Sequence, residues 1–171
     1  MLNPPLGHFS QEDQQMSNPW RKVLCAVQFD TSTKPTVDMG RQIANATGAT
    51  LIFFHVVPMP FEAIGQPRTV DAVSGAEDDA RRRLSHLAGE NPIMSYEIQV
   101  VSGDPASAII DAAMEQEVDL IVMATHARTG LEHLFLGSVT ERVVRESTVP
   151  VMTLRIGRPP HHLLSESVLI A

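Results

Sequence analysis

Five short apolar runs recur along the chain, and their continuity constrains the fold more than any other feature. They are "KVLCAVQ" at 22–28, "ATLIFFHVV" at 49–57, "SYEIQVV" at 95–101, "VDLIVMA" at 118–124 and "VPVMTLR" at 149–155. Most are too unbroken for a strand with one wet face, which predicts strands buried on both sides, as in a parallel sheet covered by helices. "SYEIQVV" instead alternates Tyr96, Ile98 and Val100, the pattern of an edge strand.

Helical patterns fill the gaps. Val37, Gly40, Ile43, Ala44 and Thr47 recur at spacings of three and four, and Gly48 follows as a stop. A second helix shows through Val70, Val73, Ala80, Leu84 and Leu87. Beside that stripe, Arg81, Arg82 and Arg83 read as a solvated face paired with Glu77, Asp78 and Asp79. In "SGDPASAIIDAAMEQE" Asp104 caps a third helix and Pro105 takes its first position, where a missing N–H costs nothing. A fourth runs from about Ser138 to Ser147. Strands and helices alternating in this way require right-handed crossovers, hence an α/β domain with an open parallel sheet and helices on both faces.

Residues 1–19 are polar and proline-containing and read as a flexible arm or a docked extension, residues 20–155 as the domain, and 156–171 as a tail. "PMPFEAIGQPRT" at 58–69 reads as a loop. A net charge of −7 argues against a nucleic-acid surface, which needs clustered Lys and Arg. The single cysteine, Cys25, lies in an apolar run and reads as a core residue of a protein from a reducing compartment. No signal peptide, membrane anchor or long apolar stretch shows, so the expected location is the cytoplasm.

One stretch has the character of a ligand loop. "MATHARTGLEHLFLGSVTERV" leaves the end of a strand, holds Gly130 and Gly137, and enters a helix at Ser138. Ligands of open α/β sheets collect beyond the carboxyl ends of the strands, and a helix start there offers unpaired N–H groups to an anion. Gly137 allows close backbone approach, and the Ser138 hydroxyl either caps the helix or bonds a phosphate oxygen. No Walker pattern is present. His55, His126 and His133 lack a metal-ligand spacing, and nothing predicts a metal site.

The stretch from Val118 to Arg155, with "KVLCAV", "ATLIFFHVV" and "GDPASAII" before it, resembles the universal stress protein family over roughly residues 20–155. Nucleotide-binding members carry Gly-x-x-Gly, nine residues, then Gly-Ser or Gly-Thr. Here Ala124 and Ala127 stand at the first two glycine positions and Gly137-Ser138 completes the pattern. The resemblance implies a Rossmann-like five-stranded sheet of order 3-2-1-4-5, a homodimer formed through the last strand (149–155), and ATP, with any Mg2+ carried by the nucleotide, between strands 1 and 4. Adenine and ribose would meet Ala26, Val27, Gln28, Val56 and Met123. The loop beginning at Ala124 and His126 would bring Ala127, Arg128, Gly137, Ser138 and Val139 to the phosphates.

Two departures follow from the same alignment. Gln28 takes the place of the family's aspartate, with Asp30 two residues on, so an amide that both donates and accepts replaces an acceptor. At Ala127 a Cβ would cost roughly 1–2 kcal/mol if the backbone there is left-handed. No residue is identified that would position an attacking water, so turnover is expected to be slow ATP hydrolysis at most. The alternative is a nucleotide-free dimer of the same family that acts through protein contacts.

Overall fold

The computed structural model describes residues 20–59, 70–126 and 137–156. The arm, most of the 58–69 loop, the glycine loop with Ala127, Arg128, Gly130 and His133, and the tail lie outside the described residues. The elements follow the expected alternation: β1 (Lys22–Ala26), α1 (Thr33–Thr47), β2 (Thr50–Pro58), α2 (Val70–Gly89), β3 (Tyr96–Gly103), α3 (Pro105–Glu115), β4 (Leu120–His126), α4 (Ser138–Glu146) and β5 (Val151–Ile156). All neighbouring strands are parallel, in the order β3-β2-β1-β4-β5. The strand order reverses direction between β1 and β4.

Alternation of side chains along each strand divides the core into two layers. On one face Val23, Cys25, Leu51, Phe53 and Val122 pack against Val37 and Ala44 of α1 and Ala80, Leu84 and Ala88 of α2. On the other, Leu24, Ala26, Ile52, Phe54, Ile121 and Met123 pack against Ile109 and Ala113 of α3 and Val143 of α4. Helices α1 and α2 thus cover one face of the sheet, and α3 and α4 the other.

Helix ends match their local sequence signals. Gly48 closes α1 in the left-handed conformation, φ 71°. The Asp104 side chain accepts the Ser107 amide hydrogen at 2.9 Å at the start of α3, with Pro105 in the first turn. Strand boundaries differ from expectation by a residue or two. β1 ends at Ala26, before Val27 and Gln28; the Val27 amide makes its last ladder bond, to the Phe54 carbonyl of β2 at 2.8 Å. β4 runs on to His126, which is therefore the last residue of a strand, since β5 pairs with it through Ile156. Ser138 is the first residue of α4, and its cap position belongs to Gly137.

Candidate functional site

The reversal of strand order opens a crevice. β1 and β4 are in register from Val23 and Leu120 only as far as Cys25 and Val122. Past that point β1 stays paired with β2 alone, through Ala26 and Phe54, while Met123, Ala124, Thr125 and His126 continue paired to β5 alone. Two adjacent strands that part at their carboxyl ends leave the kind of gap in which open α/β sheets hold ligands. Ala26, Val56 and Met123 floor its α3/α4 side and are almost wholly buried. Met123 is wholly enclosed, so the surface open to a ring comes from Ala26 and Val56, each less than a tenth exposed. Gln28, just past β1, is exposed.

The start of α4 forms one rim. Gly137 caps the helix with φ −54° and ψ 152°, and no side-chain hydrogen bond caps that end. The first helical bond runs from the Glu141 amide to the Gly137 carbonyl at 2.9 Å, so the amides of Ser138, Val139 and Thr140 precede it. Open N–H groups and the positive end of the helix dipole favour an anion here. Ser138 is exposed and does not cap, which leaves its hydroxyl for another acceptor. The φ of Gly137 suits any residue, and a Cβ there would meet nothing within 4 Å. The glycine therefore provides open space at the helix mouth and no special backbone conformation.

Thr140, which the sequence reading passed over, anchors this rim. It is buried, and its hydroxyl donates to the Ala124 carbonyl at 3.1 Å, tying the first turn of α4 to β4. A hydroxyl in the first helical turn was the available signal. Below it, Arg142 of α4 reaches Asp104 at 2.6 Å and Ser107 at 2.8 Å, which joins α4 to the start of α3.

The turn after β1 faces two ways. Gln28 is exposed, whereas Phe29 and Asp30 turn to the α1/α2 side. Phe29 adopts a left-handed backbone, φ 58°, rare for a bulky residue. Its ring lies 4.4 Å from that of His55, centroid to centroid, and the Arg83 guanidinium carbon stands 3.9 Å above it. The His55 Nδ1 lies 2.7 Å from the Val27 carbonyl, which can only accept, so Nδ1 carries the hydrogen. Burial lowers the His55 pKa below the usual imidazole value; the Val27 hydrogen bond opposes this and the Arg83 charge adds to it. Asp30, two residues past Gln28, accepts from the Ser32 amide at 2.7 Å in a local turn at the start of α1. Nothing local in the sequence announces the left-handed Phe29 or its contact with Arg83.

Of the expected site residues, the structure brings Ala26, Val27, Val56, Met123, Ala124 and the strand end at His126 to one edge of the sheet. Gly137, Ser138 and Val139 begin the neighbouring helix. Ala127 and Arg128 lie outside the described residues. Among the described residues no cluster of three or more His, Cys, Asp or Glu could hold a metal ion, and no helix is long and apolar enough to cross a membrane.

The model of the universal stress protein family matches residues 19–155. Universal stress protein YxiE of Bacillus subtilis is 41% identical over 152 residues, covering 80% of this chain and 99% of the relative. The solved UspA from Lactobacillus plantarum superposes with a TM-score of 0.63 at 21% identity, covering 80% of this chain and 98% of that one. A universal stress protein solved in complex with cAMP superposes with a TM-score of 0.54 at 24% identity, covering 80% and 97%. The match extends from three residues before β1 to the last residue but one of β5, and the strand order is the one the family resemblance implied. The chain belongs to the universal stress protein family.

Proposed function

We propose that this protein binds an adenine nucleotide, ATP foremost, in the crevice between β1 and β4, and uses it as a regulatory or sensing ligand in the stress response. The observation that carries the reading is the parting of β1 and β4 after Cys25 and Val122, with the uncapped start of α4 at its rim. In this reading Ala26, Val27, Gln28, Val56 and Met123 take the adenine and ribose. Ala124, His126, Ala127, Arg128, Gly137, Ser138 and Val139 surround the phosphates. Residues 20–155 are the functional unit, with 1–19 and 156–171 as extensions. The unit works in the cytoplasm as a homodimer. β5 supports that assembly, since it has no strand beyond it among the described residues and pairing it with a copy would cover the edge.

Thermal unfolding with Mg-ATP, AMP and cAMP tests the ligand. A nucleotide at a hundred times its Kd stabilises the native state by about 2.7 kcal/mol. That raises Tm by several degrees. Gly137→Val and Ser138→Ala should reduce the shift without lowering the unliganded Tm appreciably, because a side chain at 137 meets open space. No shift with any nucleotide at millimolar concentration would favour the nucleotide-free dimer. A monomer by light scattering at micromolar concentration would remove the dimer.

A further inference from the structure

The three consecutive arginines of α2 are not equivalent. Arg81 pairs with Asp78 at 3.3 Å and Glu77 at 3.8 Å, and Arg82 with Asp79 at 3.4 Å. Arg83 makes no ion pair among the described residues and lies over the Phe29 ring instead. Beside it is a cavity of about 470 Å³ between α2 and the turn that leads into α1. Phe29 and Leu87 give it an apolar floor, and the Arg82 and Arg83 guanidiniums line it beside the His86 ring, whose Nε2 stands 3.8 Å from Glu90 Oε1. Thr33 adds a hydroxyl. Its oxygen accepts the Asp30 amide hydrogen at 2.9 Å, so its own proton remains to be offered. Asp30 also lines the cavity, with one carboxylate oxygen engaged by the Ser32 amide and hydroxyl.

This cavity is separate from the nucleotide crevice. Phe29 and Leu87 pack on the α1/α2 layer, whereas Ala26, Val56 and Met123 belong to the α3/α4 layer. Its basic character also stands against a chain of net charge −7. A guanidinium held over a ring keeps its planar fork of N–H groups for an acceptor, and it surrenders little rotamer freedom on binding.

We propose that this cavity is a second ligand site, one that takes a small organic anion: a compact apolar body, seated on Phe29 and Leu87, with a carboxylate or phosphate head between Arg82, Arg83 and His86. Its volume lies within the range of small-molecule pockets.

The test is an NMR titration of the full chain, labelled with ¹⁵N, using 1-naphthoate and 1-naphthyl phosphate as probes and neutral 1-naphthylmethanol as control. Binding of either anion should shift the amides of Phe29, Asp30, Thr33, His86 and Leu87, and excess ATP should not reverse the shifts. The stronger of the two probes identifies the head group. Arg83→Gln should weaken binding roughly tenfold or more, the effect of losing one charge-assisted hydrogen bond. Because that variant also uncovers Phe29, Arg82→Gln, which leaves the stack intact, should weaken it in the same direction. The proposal is overturned if millimolar anion leaves these amides unmoved, if ATP displaces it, if the neutral analogue binds equally well, or if neither variant loses affinity. Apart from the ATP competition, none of these outcomes depends on ATP binding to the crevice.

Discussion

The Thr140 hydroxyl donates to the Ala124 carbonyl at 3.1 Å, and through that one bond the first turn of α4 is held against the strand that borders the crevice. Thr140→Val keeps the shape and removes the donor, and a lost buried hydrogen bond costs about 1 kcal/mol. A Tm loss of roughly 2–4 °C should follow. Thr140→Ser should recover most of it. Urea titration of the three proteins checks the order.

Gly40 is where α1 presses hardest on the sheet. A Cβ there would stand 3.1 Å from Leu51 Cδ1 and 3.4 Å from Cys25 Cβ. Gly40→Val should destabilise the protein by about 1–3 kcal/mol through overpacking. The denaturant midpoint should fall while the slope of the transition stays unchanged.

His55 gives the fold a dependence on acid. Its pKa is lowered in the native state, mainly by burial, so below the ordinary value of 6.5 the unfolded chain binds the proton more readily than the folded one. Its contribution to stability is full above that value and declines as pH falls through the lowered native pKa. Wild type should therefore lose stability on acidification more steeply than His55→Gln, as read from urea midpoints across the range.

Asp104 combines a helix cap with a bridge to Arg142. Asp104→Ala should cost about 1 kcal/mol, the usual loss for a cap. Asp104→Asn keeps the cap and should cost little, because the ion pair is exposed. The Ser107 amide and hydroxyl, ahead of Arg142, hold the Asp104 pKa below the ordinary 3.8. Wild type should therefore keep this increment in mild acid and lose it only as pH falls through the lowered value. The difference in stability between wild type and Asp104→Ala, followed down in pH, checks the sign.

The sheet was legible because its signals are local. Runs such as "LIFFHVV" and "DLIVMA" could satisfy their burial only inside a covered parallel sheet, and Gly48, Asp104 and Pro105 mark their helix ends with side-chain chemistry. Strand order came from the family resemblance. The site was legible only in outline: β1 and β4 lie side by side at the reversal of strand order, yet β1 stops two residues short of its expected end, β4 runs two residues past its own, and Gly137 rather than Ser138 takes the cap position of α4. The Arg83, Phe29 and His55 stack was not legible, because it joins an α2 residue to a turn 54 positions earlier, and the turn takes a conformation that no glycine signals. Reading Arg81, Arg82 and Arg83 as one paired face holds for the first two; the third is drawn off by an aromatic ring brought near only by the fold.

The lone thiol at Cys25 makes a clock for whole-molecule opening. Its side chain is wholly enclosed, burial pushes its pKa up to about 12, and Sγ lies 3.5 Å from the Thr36 carbonyl. No maleimide can reach it through a frayed end or a flapping loop, because it sits between the central strand and α1. The alkylation rate should match the global unfolding equilibrium across denaturant, and any ligand of the native state should slow it by the factor by which it stabilises the fold.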